Sequence, residues 1–218
     1  MSVVLSWSGG KDSALALRTL REEGVEPVAL LTTINEDHER ISIHGVRREL
    51  LHAQAAAVGL PLVEVGIPTA CVNEVYEERM AAAMGAPPLA EVETFAFADL
   101  FLADIRAYRE ERLDAVGRQA IFPVWGRDTA ELAREFVAVG FGATLVTVDT
   151  EQLDASFVGR RFDAALLADL PAAVDPCGEN GEFHTFVDSG PIFAAPIPVA
   201  LGELRDEGRF VYRDLLPA

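Results

Sequence analysis

Two cysteines, Cys71 and Cys177, are all that the chain carries. That excludes a disulfide framework and a zinc knuckle, which need several thiols at short spacing. Long apolar runs are missing as well: no stretch approaches the roughly 20 residues of a membrane-spanning helix. No charged-then-apolar leader precedes the first apolar run at Val3, so the chain reads as cytoplasmic with no membrane partner. Cations are scarce: 18 Lys and Arg stand against 35 Asp and Glu, a net charge of −17. So acidic a surface repels polyanions, which argues against nucleic acid and for small-molecule or protein partners. Solubility alone would explain the charge equally well. Apolar residues are not scarce. They make up 50% of the 218 residues, enough for the core of one large domain or two small ones.

The densest chemical signal is Ser8-Gly9-Gly10-Lys11-Asp12-Ser13. It follows the apolar run Val3-Val4-Leu5 and opens a helical pattern from Ala14 to Leu20. Strand, glycine-rich turn and helix start together make an anion site, because the glycines allow close approach and the first helical N–H groups point at the ligand. Ser8 and Ser13 add hydroxyl donors and Lys11 a mobile positive charge. Asp12 repels a bare phosphate but fits a magnesium ion, which takes carboxylate and phosphate oxygens together. The set therefore reads as a cradle for a Mg2+-polyphosphate, with Asp12 as metal ligand. The Walker pattern fails, since it needs Gly at position 5 and Ser or Thr at 12, where this chain has Leu5 and Asp12. The dinucleotide pattern fails because Gly9 and Gly10 are adjacent and no third glycine follows. A plain strand-to-helix turn is the remaining alternative. The loop resembles the pyrophosphate loop (PP-loop) of the N-type ATP pyrophosphatases, which split ATP between the α and β phosphates.

Apolar patterning predicts strands at 3–5, 28–33, 62–65, 95–100 and 144–148. Helices are predicted at 13–23, 46–58, 73–84, 105–116, 129–139 and 162–170, several of them stopped by glycine. This β-α alternation predicts an α/β fold: a doubly wound parallel sheet, with ligands at the carboxyl ends of its strands. The last 45 residues are richer in proline and poor in helical patterns, and read as strands and loops of a smaller lobe. We expect an ATP-binding domain at 1–118 and a smaller α+β acceptor-binding domain at 119–218.

A second cluster, Cys177-Gly178-Glu179-Asn180-Gly181-Glu182-Phe183-His184-Thr185, resembles the Gly-Glu-Gly-Gly-Glu-aromatic-Glu-Thr signature of the diphthine–ammonia ligase family. Ala98-Asp99-Leu100, Arg109 with Glu111, Pro123-Val124-Trp125 and Leu153 to Arg160 resemble further segments of that family, in the same order. The resemblance implies a PP-loop domain followed by a smaller substrate domain. It also implies a reaction: ATP adenylates a carboxylate, pyrophosphate leaves, and ammonia attacks to form an amide. In archaeal and eukaryotic members the carboxylate is that of diphthine, a modified histidine of elongation factor 2. Asn180, His184 and Ala98 depart from the family residues Gly, Glu and Gly, and the wording resembles the bacterial branch. Bacteria lack diphthamide, so the resemblance leaves the carboxylate-bearing acceptor open, a protein side chain among the options. It leaves the nitrogen source and a homodimer open too.

Roles follow from residue chemistry together with that resemblance. Ser8, Gly9, Gly10, Lys11, Asp12 and Ser13 are expected to hold ATP, with Lys11 and Asp12 also catalytic. Adenine is expected near the backbone after the second strand, at Thr32 and Thr33. Glu179, Glu182 and His184 are expected on the acceptor side, where a carboxylate binds ammonium or takes its proton and His184 transfers a proton. A wall that merely shapes the cleft is the bland alternative for that loop. Asp99, Arg109 and Glu111 read equally well as a structural ion-pair set. Trp125 is expected in the core, and His38, His44 and His52 on the surface. Two other functions compete: a tRNA-thiolating PP-loop enzyme, which would want a reactive cysteine pair and a basic groove, and a non-catalytic ATP or AMP sensor.

Overall fold

The computed structural model describes residues 2–41 and 44–218. The first half alternates strands and helices: β1 (Val3–Ser6), α1 (Lys11–Glu22), β2 (Ala29–Asn35), β3 (Arg40–Ile41), α2 (Arg48–Val58) and β4 (Leu62–Ile67). It continues through α3 (Asn73–Met84), β5 (Thr94–Ala96), α4 (Ala103–Asp114) and β6 (Gln119–Ile121). β4, β2, β1, β5 and β6 lie side by side, all parallel, and β3 adds antiparallel to the far end of β2. Side chains alternate across each strand, and the cores follow. Val3 and Leu5 pack with Leu15 and Leu17 of α1 and Leu50 and Leu51 of α2. Val4 points the other way, into a second cluster with Phe95 and Leu113 against which Met80 and Met84 of α3 pack. Helices thus cover both faces, as the alternation predicts.

The second half builds α5 (Thr129–Ala138), β7 (Gly142–Asp149), α6 (Ala164–Asp169), β8 (Phe183–Ser189), β9 (Val199–Glu207) and β10 (Phe210–Pro217). Its four strands form a separate antiparallel sheet in the order β8-β7-β10-β9. α5 and α6 each start on an aspartate, Asp128 and Asp163, whose carboxylate accepts a first-turn N–H at 2.8 Å.

Patterning misplaced some ends. α1 begins at Lys11 rather than 13, which makes Lys11 its first residue. β5 ends at Ala96, not 100: the chain leaves the sheet after Phe97 donates to the Ile121 carbonyl. β2 runs on to Asn35 because β4 and β3 pair with its last residues, so Thr32 and Thr33 lie inside the strand rather than after it. β3 and β6, of two and three residues, are too short for periodicity to reveal.

Candidate active site

At the carboxyl end of β1 the chain turns through Gly9, at φ 77, into α1. A side chain at Gly9 would put its Cβ 2.8 Å from Gln54 Oε1. The helix has no cap from its own flank. Instead Thr185 Oγ1, on β8, accepts the Lys11 N–H at 3.0 Å. Val187 N–H donates to the Gly9 carbonyl at 3.0 Å, and Gln54 Nε2 reaches both the Gly9 and Val187 carbonyls. The second sheet is therefore stitched directly onto the glycine-rich loop at residues 8–13. Ser8 Oγ and Ser13 Oγ lie 3.3 Å apart beside it.

Lys11 is buried. Its Nζ meets Asp12 Oδ2 at 2.9 Å and the Cys177 carbonyl, and sits 5.5 Å from the centre of the Phe183 ring. Burial opposes its charge, but Asp12, Cys177 and Glu179 outweigh burial and hold its pKa above the ordinary lysine value. Burial also raises Asp12, and Lys11 counters it only in part. The second oxygen, Asp12 Oδ1, is buried with no hydrogen-bond partner among the described residues.

A cavity of about 320 Å³ opens here, lined by Ser8, Lys11, Asp12 and Ser13 on one side and by Cys177, Glu179, His184 and Thr185 on the other. Residues some 170 positions apart in the chain thus share one site. Glu179 Oε1 accepts the Leu100 N–H at 2.7 Å. Burial lifts Glu179 to about 7 despite that bond. Burial, reinforced by Lys11, lowers His184 to about 4, so its ring is neutral near pH 7. Glu182 is outside this lining. Its carboxylate is buried and accepts the Asp175 N–H, the Asn180 N–H and the Asn180 side-chain amide at 2.9–3.0 Å. Thr32 is buried in β2 and Thr33 half-buried, both outside the lining.

Matched against protein families, residues 1–121 fit the diphthamide synthase N-terminal domain and residues 128–212 its C-terminal domain. The chain belongs to the diphthamide synthase family. Curated relatives named diphthine–ammonia ligase share the similarity. The protein of Schizosaccharomyces pombe is 25% identical over 219 residues, covering 88% of this chain and 35% of its own length. That of Rattus norvegicus is 26% identical over 226 residues, covering 93% and 84%. The chain thus spans about a third of the length of the Schizosaccharomyces pombe protein.

Within this diphthamide synthase fold, several residues take places the sequence did not reveal. His44, expected on the surface, lines the cavity with its ring 4.5 Å from that of His184. Asp175 organises the 175–182 turn: Oδ1 accepts from Cys177 N–H and Oδ2 from the Thr129 hydroxyl. Asp99 and Arg109 line the cavity together, whereas Glu111 is exposed outside it. Trp125 is half-buried beneath Arg106, 4.7 Å from the guanidinium carbon, and Val124 takes the core place beside it. Burial pushes the Cys177 thiol up to about 12, which favours the thiol over the nucleophilic thiolate. Among the described residues no group of three His, Cys, Asp or Glu is arranged to hold a metal, and no helix is long and apolar enough to cross a membrane.

Proposed function

We propose that the chain is an ATP-dependent ligase that adenylates a carboxylate and converts it to an amide with ammonia. The observation that carries this reading is the shared cavity: the glycine-rich loop at the start of α1 faces the Glu179 carboxyl. The names of its relatives support the same reaction class. In this reading residues 1–118 supply the phosphate cradle and residues 119–218 the wall bearing Glu179 and His184.

An acceptor carboxylate oxygen attacks the α phosphorus, the bond to the bridging oxygen breaks, and pyrophosphate leaves. Ser8, Ser13, Lys11 and the first-turn N–H groups of α1 meet the charge that develops on it; one such donor is worth about 3–4 kcal/mol. Ammonia then attacks the acyl carbon of the acyl-adenylate and AMP departs. Glu179, as carboxylate, takes the surplus proton from nitrogen, and a pKa near the working pH suits a general base. His184 is neutral and serves as a hydrogen-bonding wall rather than as the acid. Glu182 is a positioning residue that shapes the turn carrying Glu179. The unpartnered Asp12 Oδ1 fits magnesium, which is commonly held by one or two carboxylates plus phosphates. When bound there, the ion would supply positive charge to the leaving pyrophosphate.

Product analysis tests the reading. Incubated with ATP, magnesium and cell extract as acceptor source, the protein should release AMP and pyrophosphate in equal amounts. ADP and phosphate as main products would remove it from this reaction class.

A further inference from the structure

The chemistry above leaves one cation of the cavity without a task. Arg109 lies on α4 and faces the same space as Glu179. Its Nε is 2.9 Å from Asp99 Oδ2 and its Nη2 3.2 Å from Oδ1, and its guanidinium carbon lies 4.2 Å from the centre of the Phe97 ring. The Nε contact is an ion pair too poorly aligned to be a hydrogen bond, since neither atom has a hydrogen-bond partner among the described residues. One edge of the guanidinium is thus fixed by Asp99 and one face by Phe97. Among the described residues no acceptor meets the remaining amino group, Nη1. A planar, oriented fork with a free edge is the geometry that receives a carboxylate.

Place in the fold agrees. Asp99 follows β5, the parallel neighbour of β1, so the Arg109–Asp99 pair and the phosphate loop sit at the same, carboxyl end of the sheet. The turn that holds Asp99 also supplies Leu100 N–H, which fixes Glu179 at 2.7 Å. Arg109 and Glu179 are therefore oriented by one short segment. Lys11, the other cation of the lining, is engaged by Asp12 and the Cys177 carbonyl.

We propose that Arg109, oriented by Asp99, is the docking point for the carboxylate of the acceptor, which enters from the α4 side of the cavity. This rests on the ligase reading above. Asp99 is a positioning residue in it. A clasp that merely ties α4 to β5 would not distinguish a carboxylate from its amide, and a contact to a nucleotide phosphate would not need an added carboxylate.

The test uses butyrate and butyramide, a carboxylate and its neutral amide, titrated into 15N-labelled protein to about 100 mM, enough to fill a millimolar site. Each is run with and without α,β-methylene-ATP, whose α–β bridge resists cleavage. Butyrate should shift the Arg109 Nε–H and the Asp99 and Leu100 backbone signals saturably, and butyramide should not. In Arg109→Lys, still folded by its amide spectrum, the backbone shifts with butyrate should vanish. Asp99→Asn should weaken butyrate about tenfold, or about 1.4 kcal/mol. Equal shifts from both ligands, or none from butyrate, would overturn the proposal. Movement of the Arg109 signal with the nucleotide analogue alone would also overturn it, in favour of a phosphate contact. Failure of the analogue to bind counts instead against the nucleotide reading, because the butyrate arm without nucleotide reports on Arg109 independently.

Discussion

Lys11 is the sole lysine among 18 basic residues; every other cation is arginine. That bias was legible in the sequence and marks the position more sharply than the surrounding glycines do. A buried cavity beside Phe183 holds a compact ammonium on a flexible stem, whereas a planar guanidinium would need more room and a fixed fork. Asp12 beside it has one oxygen on Lys11 and one with no hydrogen-bond partner among the described residues. Asp12→Ala should therefore weaken Mg-ATP far more than metal-free ATP in calorimetry; equal losses would end the metal role. The two shifted groups of the facing wall oppose each other in pH. Glu179 moves from 4.5 to about 7, so between these values the native state holds the extra proton and stability falls as pH rises. His184 moves from 6.5 to about 4, so there the unfolded state holds the extra proton and stability rises with pH. The two slopes have opposite signs, so they oppose each other from pH 4.5 to 6.5. Denaturant titrations across pH 4–7.5 should show Glu179→Gln gaining stability relative to wild type as pH rises, and His184→Asn losing it. Differences of the same sign would show that one of the two environments is misassigned.

The longer helices were legible for two reasons: α5 repeats its apolar spacing and differs from the predicted span only at its last residue, whereas α3, which has no continuous apolar face, spans 73–84 as predicted because Gly85-Ala86-Pro87-Pro88 stops it. What escaped was contact between elements. Gln54 sits among Leu50, Leu51 and Ala55 on the buried face of α2. A lone amide on an apolar stripe was a readable sign of a polar partner, but not of which one. The structure supplies Trp7 Nε1–H, at 3.0 Å on Gln54 Oε1, and the Gly9 and Val187 carbonyls. His44 escaped for the same reason: it reaches the cavity only because the segment after β2 folds back, with Thr147 donating to the His44 carbonyl at 3.1 Å. The cap of α1 is also borrowed, from Thr185. Thr185→Val should leave the Lys11 N–H buried without an acceptor and cost about 1–3 kcal/mol. It should also weaken ATP binding, and Thr185→Ser should restore both. An unchanged unfolding midpoint in Thr185→Val would show that the cap contributes nothing.

At the scale of the molecule, these borrowed contacts decide how the two sheets behave. The alternating first half and strand-rich second half suggest two lobes. Yet one cluster of buried side chains runs from Val3 of β1 through Phe136 and Phe183 to Leu215 of β10. β8 is a strand of the second sheet and a wall of the glycine-rich 8–13 loop at once. Arg40 and Arg47, flanking the segment that carries His44, both pair with Asp214 of β10, at 2.8 and 2.7 Å. Burial raises Asp214, but the two arginines outweigh it and hold the carboxyl down at about 2, so the bridge is charged near neutral pH. A shared core and shared polar seams leave neither half a complete surface of its own, and the chain should melt in one calorimetric transition. A nucleotide that binds only the native state should then raise the whole transition, by about 2.7 kcal/mol at a hundredfold excess over Kd. Hydrogen exchange should show the same free energy added at Val4 of β1 and Val211 of β10, on opposite sides of the seam. Two transitions of which nucleotide moves only one would show that the seam at β8 is too weak to couple the halves.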